Sequence, residues 1–271
     1  MLDLAPAFAA RLLVAFAALS ASASSIALAQ APASSTIDAQ NLLTRSDAVR
    51  NPPGSFSARV TLTEYRDGAQ SDSAALMIYS RPSENSGQYY NLVRYEAPAR
   101  DNGKLLLHKG VDLWFFDPAS AASVRISPQA RLLGEASNGD VMTTNLGKDY
   151  RATLLRTENT EDAAHHVHEC AVLHLTAERE DVPYNGADYW IDRTTAVPVK
   201  INFLTSEGRV LKTAYFRRFD NVLGVQRPTE TVILDGLNPH WITVMRTGAF
   251  TPREISVAWF QRDYLPRFEE E

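Results

Sequence analysis

Four histidines crowd into one stretch of this chain, His165, His166, His168 and His174, with Glu169 and Cys170 between them. Imidazole, carboxylate and thiolate are zinc ligands, and zinc needs three or four of them converging at about 2 Å. On a strand, His166, His168 and Cys170 share one face, so two or three ligands can meet. The spacing matches no helical H-E-x-x-H pattern. Catalytic zinc sites usually draw their ligands from separated elements, which favours a solvated hairpin turn here. A zinc-dependent enzyme using residues 165–174 therefore ranks as the lowest alternative. Cys170 beside a histidine has the makings of an activated thiolate, but a free cysteine is more often a small buried hydrophobe. The chain has no G-x-S-x-G elbow, no phosphate-binding P-loop and no G-x-G-x-x-G turn. No enzyme, resident metal or cofactor is expected.

Composition narrows the class further. The chain has 271 residues, a net charge of −5 and a single cysteine. No basic stripe invites nucleic acid. One cysteine forms no internal disulfide, so the fold rests on its core. Arg11, the apolar run 12–19 and Ala27-Leu28-Ala29 form the pattern of a secretory signal peptide. Cleavage after Ala29 is expected, which leaves residues 30–271 as one exported domain.

The elements follow from periodicity. Residues 37–50 place Ile37, Leu42, Leu43 and Val49 near one helical stripe, and Asn51-Pro52-Pro53-Gly54 ends it. The period then becomes two: Phe56, Ala58, Val60 and Leu62 alternate with Ser57, Arg59, Thr61 and Thr63. Strands are expected at 74–80, 88–96, 104–107 and 112–117, with another possible at 124–126. Further strands are expected near 150–157, 168–178, 187–193, 197–205, 209–219, 228–235 and 241–250. Ser127-Pro128 is a candidate start for a short helix, and residues 134–147 lack any period and read as a lid-like element. Residues 255–265 have helical spacing. In 113–116 both strand faces are apolar, so that strand is covered on both sides or faces a greasy cavity. The sum is a mainly β fold of about ten or more antiparallel strands, a curved sheet or barrel with helices over it. Such a container suits apolar ligands: a buried 16-carbon chain gains on the order of 10 kcal/mol before ordering costs.

The residues also carry a resemblance. Arg81-Pro82, then residues 92–98 (LVRYEAP), then 112–118 (DLWFFDP) resemble the LolA-like outer-membrane lipoprotein-sorting proteins. Residues 124–127 (VRIS) and 138–141 (NGDV), then Asp192, Pro198, Gly208, Gly224 and Pro228-Thr229-Glu230, extend it over nearly all of residues 30–271. The resemblance implies an unclosed antiparallel β-barrel around a hydrophobic cavity, covered by an N-terminal helix and short lid helices. It implies a periplasmic carrier of lipoprotein acyl chains or another lipid. An inner-membrane transporter of ABC or RND type and an outer-membrane acceptor would be its partners. It makes Arg81 the residue that tethers the lid. Tyr89, Val93, Tyr95, Leu107, Leu113 and Phe115 are expected on the cavity wall, an assignment that a one-residue slip would invert. An RseB-like sensor that binds a protein partner on the same fold is the second reading.

Overall fold

The computed structural model describes residues 37–270 except Ala163. The expected signal peptide and its cleavage point lie outside the described residues. Helix α1 (Ala39–Arg50) starts at Asp38, whose carboxylate accepts from the Asn41 amide at 3.0 Å. It buries Leu42 and Leu43 and stops before Pro52-Pro53.

Strands β1 (Phe56–Arg66), β2 (Ala69–Pro82), β3 (Tyr89–Ala97), β4 (Leu105–Lys109), β5 (Asp112–Asp117) and β6 (Ala122–Arg125) form one meander. A small hairpin follows, β7 (Arg131–Leu133) and β8 (Ala136–Ser137), then a 3-10 turn (Asn138–Val141) and the short helix α2 (Leu146–Asp149). A second meander runs through β9 (Tyr150–Glu161), β10 (Val167–Ala177), β11 (Gly186–Asp192), β12 (Pro198–Leu204), β13 (Val210–Val222), β14 (Val225–Asp235) and β15 (Trp241–Pro252). Among the described residues, 13 strands make one antiparallel sheet, ordered β6 to β1, then β15 down to β9. The two meanders join where β1 pairs with β15, Thr61 opposite Arg246. The sheet does not close into a barrel. It curls instead, since Leu113 of β5 and Leu173 of β10 share one core with Leu42 and Leu43.

Two expectations are corrected. Ser127-Pro128 opens a turn that leads into β7, not a helix. Residues 255–265 form no regular helix. They lie within a tail of two 3-10 turns, Val257–Phe260 and Arg262–Arg267, with Pro266 inside the second. That tail explains the two-sided apolarity of β3 to β5. Ile255, Trp259, Phe260 and Leu265 pack with Tyr79, Leu92, Leu105, Leu107 and Phe116 on the convex face. The other face meets the main core, so both are covered by protein. No helix among the described residues is long and apolar enough to cross a membrane.

Candidate ligand cavity

The concave side holds a cavity of about 180 Å³. Its wall comes from strands that alternate cleanly: Phe56, Ala58 and Val60 of β1, Ile78 of β2, Ile201 and Phe203 of β12, Ala214 and Phe216 of β13, Thr231 and Ile233 of β14, and Met245 and Thr247 of β15. Val141, Met142 and Leu146 roof it, and Arg50, Asn51 and Pro52 close one end. The room exists because Ala58 and Ala214 are short where neighbouring positions are long. Voids of ~150 Å³ take up benzene, whereas ligand sites usually run from roughly 300 to 1,000 Å³. A long-chain guest therefore requires the roof to lift.

The roof is a strap, residues 127–149, made of the small hairpin β7–β8, a single 3-10 turn and the one-turn helix α2, with little ladder of its own. Its backbone polar groups need partners, and side-chain amides supply them. Asn91 pairs with Thr143, donating to its carbonyl and accepting from its amide, both at 3.0 Å. Gln88 does the same for Asn145, both at 2.8 Å. Gln40 of α1 donates to the carbonyls of Gly147 and Tyr150 at 3.0 and 3.1 Å. Gly139 crosses so near Pro183 that a β-carbon there would lie 2.5 Å from its ring.

One buried ion pair latches the strap to the sheet. The Lys212 ammonium meets Asp140 Oδ2, with side chains only 5% and 9% exposed. It also donates to the Glu135 carbonyl at 3.0 Å and lies 4.9 Å from the Tyr184 ring centre. Asp140 further accepts from Tyr184 Oη at 2.9 Å and from the Ser137 amide at 2.7 Å. Every polar group of this latch therefore has a partner, as burial demands.

None of the six residues expected on the wall lines this cavity among the described residues. Val93 and Leu113 lie in the filled main core, with Tyr95 and Phe115 packed against it. Burial, with the Asp101 carboxylate beside it, pushes the Tyr95 phenol up to about 12. Tyr89 is buried against Phe56 and donates to the Pro52 carbonyl at 2.7 Å. Leu107 faces the other way. It pairs with Leu92 and Trp114 and packs under the C-terminal tail, while Leu106, opposite Val93, turns to the main core. Register misplaced Leu107 alone; Val93, Tyr95, Leu113 and Phe115 face inward as expected, onto packed core and not onto the cavity.

Comparison with known proteins places this architecture. A family model described as an uncharacterized protein matches residues 87–267. A LolA superfamily protein from Nitrosomonas europaea is 32% identical, with a TM-score of 0.74 over 83% of this chain and 98% of its own. This chain belongs to the LolA superfamily. Two more solved structures share the fold. A putative outer membrane lipoprotein-sorting protein domain from Vibrio parahaemolyticus is 18% identical at TM-score 0.71, covering 84% of this chain and 98% of its own. A DUF1329 family protein from Desulfovibrio piger is 21% identical at TM-score 0.70, covering 83% and 97%. A search of curated proteins found no match.

In this LolA-superfamily chain, Arg81 holds the C-terminal tail. Its guanidinium donates to the Ile255 carbonyl at 2.7 Å, and Glu84 lies 3.8 Å away. The residue that grips several carbonyls at once is Arg227, which is 1% exposed. Its Nη1 donates to Ala48, Val49 and Asn51 at 2.7, 2.8 and 2.8 Å, so it collects the orphan carbonyls at the end of α1.

The histidines do not converge. His168 points both ring nitrogens at carboxylates, Nε2 at Asp162 (3.0 Å) and Nδ1 at Asp192 (3.1 Å). His174 pairs with Asp188 at 2.8 Å. Among the described residues no three side chains of metal-ligating type are arranged to hold an ion. Cys170 packs with Val172, Trp190 and Val199, and burial pushes its thiol up to about 11, far from a reactive thiolate. Burial opposes charge on His168, but its hydrogen bonds and the charges of Asp162 and Asp192 outweigh this and raise its pKa. A raised folded value makes the contribution complete below the unfolded value of about 6.5 and lost as pH rises through the folded value. Thermal midpoints should therefore fall as pH rises above about 6.5. In His168→Asn that slope should flatten. An unchanged slope would remove His168 as its source.

Proposed function

We propose that this protein is a periplasmic carrier that takes acyl chains of a lipoprotein or another lipid into its cavity and carries them toward the outer membrane. An apolar cavity under a strap held by a few polar contacts, in a LolA-superfamily fold, is the observation that carries this reading. Burial of methylenes drives uptake at about 0.8 kcal/mol each. The latch and the amide pairs give the roof's backbone groups partners when it closes over an empty cavity. An inner-membrane transporter would load the cargo, and an outer-membrane acceptor would receive it. The cavity wall assigned to this role is Phe216, Phe203, Ile233 and Met245, in place of β3 to β5.

Native mass spectrometry with lipid extraction on protein from its own periplasm tests this. The wild type should carry an acylated species. Phe216→Glu, which puts a charge into the partly buried cavity wall, should cut occupancy about tenfold or more. Its near-ultraviolet circular dichroism should stay native. A wild-type protein that neither carries lipid nor takes it up on challenge would overturn the reading.

A further inference from the structure

The sheet has a fork in it. β14 pairs with β15 from Leu234 opposite Ile242 as far as Glu230 opposite Arg246, and there the ladder ends. Beyond that point β14 stays with β13 as far as Val222 opposite Val225, and β15 stays with β1 to Pro252. The strands part over about five residues, a gap of roughly 15 Å along the sheet at ~3.3 Å per residue. Inside the gap lies the cavity. Outside it lies a surface groove, and Thr247 and Phe250 line both. The groove and the cavity therefore meet at the split.

Two observations mark this place as built. Two non-glycine residues of the groove hold left-handed backbones inside strands, Arg218 (φ 50°) and Ala249 (φ 50°), the second at the bulge in the β1–β15 ladder; the same conformation at Leu223 belongs to the two-residue hairpin turn. Such conformations persist only where the surroundings impose them, and they gather at functional sites. The second is charge. The groove is lined by Arg59, Arg218 and Arg246, against one carboxylate, Asp220. At the crotch of the fork the buried Glu230 gathers Arg246 (2.7 Å), Arg218 (3.3 Å) and Arg217 (3.6 Å). One carboxylate cannot satisfy three guanidinium forks, and of the three Arg218 and Arg246 line the groove, so donors remain for it. Arg59 is held by Glu96 at 3.0 Å, and Asp220 accepts from Thr229.

We propose that the split between β14 and β15 is the entrance to the cavity, and that the arginine-lined groove outside it holds the anionic head, phosphate or carboxylate, of the amphiphile whose chain lies inside. This rests on the carrier reading and adds the ligand's class and path. Guanidinium groups match such oxyanions bidentately. The head stays in the wet groove, and the chain passes between β14 and β15, along Thr247 and Phe250, into the apolar interior.

The test compares two probes that differ only in the phosphate, 1-oleoyl-lysophosphatidate and 1-monoolein. Wild-type protein should bind the lysophosphatidate about tenfold more tightly, one well-placed charged contact. In Arg218→Gln, with Arg246 and Arg217 left to pair Glu230, the ratio should fall below about threefold. Gly248 lies in the groove with open space where its β-carbon would be. Gly248→Trp should fold normally and slow uptake of both probes about tenfold or more. Equal affinities in the wild type would overturn the head-group site and leave the carrier reading standing. Binding of neither probe would overturn the carrier reading itself. Displacement of lysophosphatidate's advantage by inorganic phosphate at equal concentration would assign the groove to a free anion and overturn the proposal. Unchanged uptake by Gly248→Trp would overturn the entrance.

Discussion

Lys212→Met is expected to destabilise the protein by about 3–5 kcal/mol, the usual cost of leaving one member of a buried ion pair alone. Lys212 and Asp140 are both almost fully covered, so the carboxylate gains little solvation once the ammonium is gone. Tyr184 Oη and the Ser137 amide still donate to Asp140, but neither brings a charge. For a domain of this size the loss corresponds to a fall of roughly 10 °C in thermal midpoint. Adding Asp140→Asn should restore most of it, since a neutral amide needs only hydrogen bonds. Urea denaturation of the two single variants and the double measures this. A single variant within about 1 kcal/mol of wild type would mean that the strap is not latched there. The strap should also become more open to protease in Lys212→Met, because the latch is its main charged anchor to β13.

Arg227→Met comes second, with an expected loss of about 3 kcal/mol. The methionine keeps much of the buried volume but leaves the carbonyls of Ala48, Val49 and Asn51 without their shared donor. Hydrogen exchange should localise the effect: amides near the end of α1 should exchange faster, while those of β10 and β11 stay protected. Arg227→Lys should recover only part of the loss, since a compact ammonium does not present the planar fork. Full recovery would show that charge alone holds the helix end.

The sequence carried the architecture because β structure writes itself in period two. Phe56, Ala58, Val60 and Leu62 could be assigned to one face with no knowledge of their partners, and they do face the interior. The position of the cavity was less legible. Apolar runs in β4 and β5 look the same whether a cavity or a tail covers them, and here a tail does. One step of register put Leu107 on the wrong side. The strap showed only a lack of pattern, since its order comes from Gln40, Gln88 and Asn91, which lie far from it in the chain. Lys212 did leave a trace. It is in phase with Ala214 and Phe216 on the inward face of β13. A charge at an inward position demands a buried partner, and that rule would have found this anchor. Arg227 left none, because alternation breaks in β14: Pro228 is on the cavity and Thr229 in the outer groove, out of phase with Thr231 and Ile233.

The seam between β1 and β15 also governs how the chain can assemble. Every other neighbouring pair in the large sheet joins consecutive strands, so each forms by closing a short loop. Only this ladder must bring together segments from the two ends of the domain. Contacts of that range are slow to form. A chain emerging from its N-terminal end can therefore order its first meander early, but β1 keeps a bare hydrogen-bonding edge until β15 arrives. Exposed strand edges invite other chains. Arg59 and Glu64, charged residues on β1 between its apolar positions, stand where such an encounter would occur during that wait.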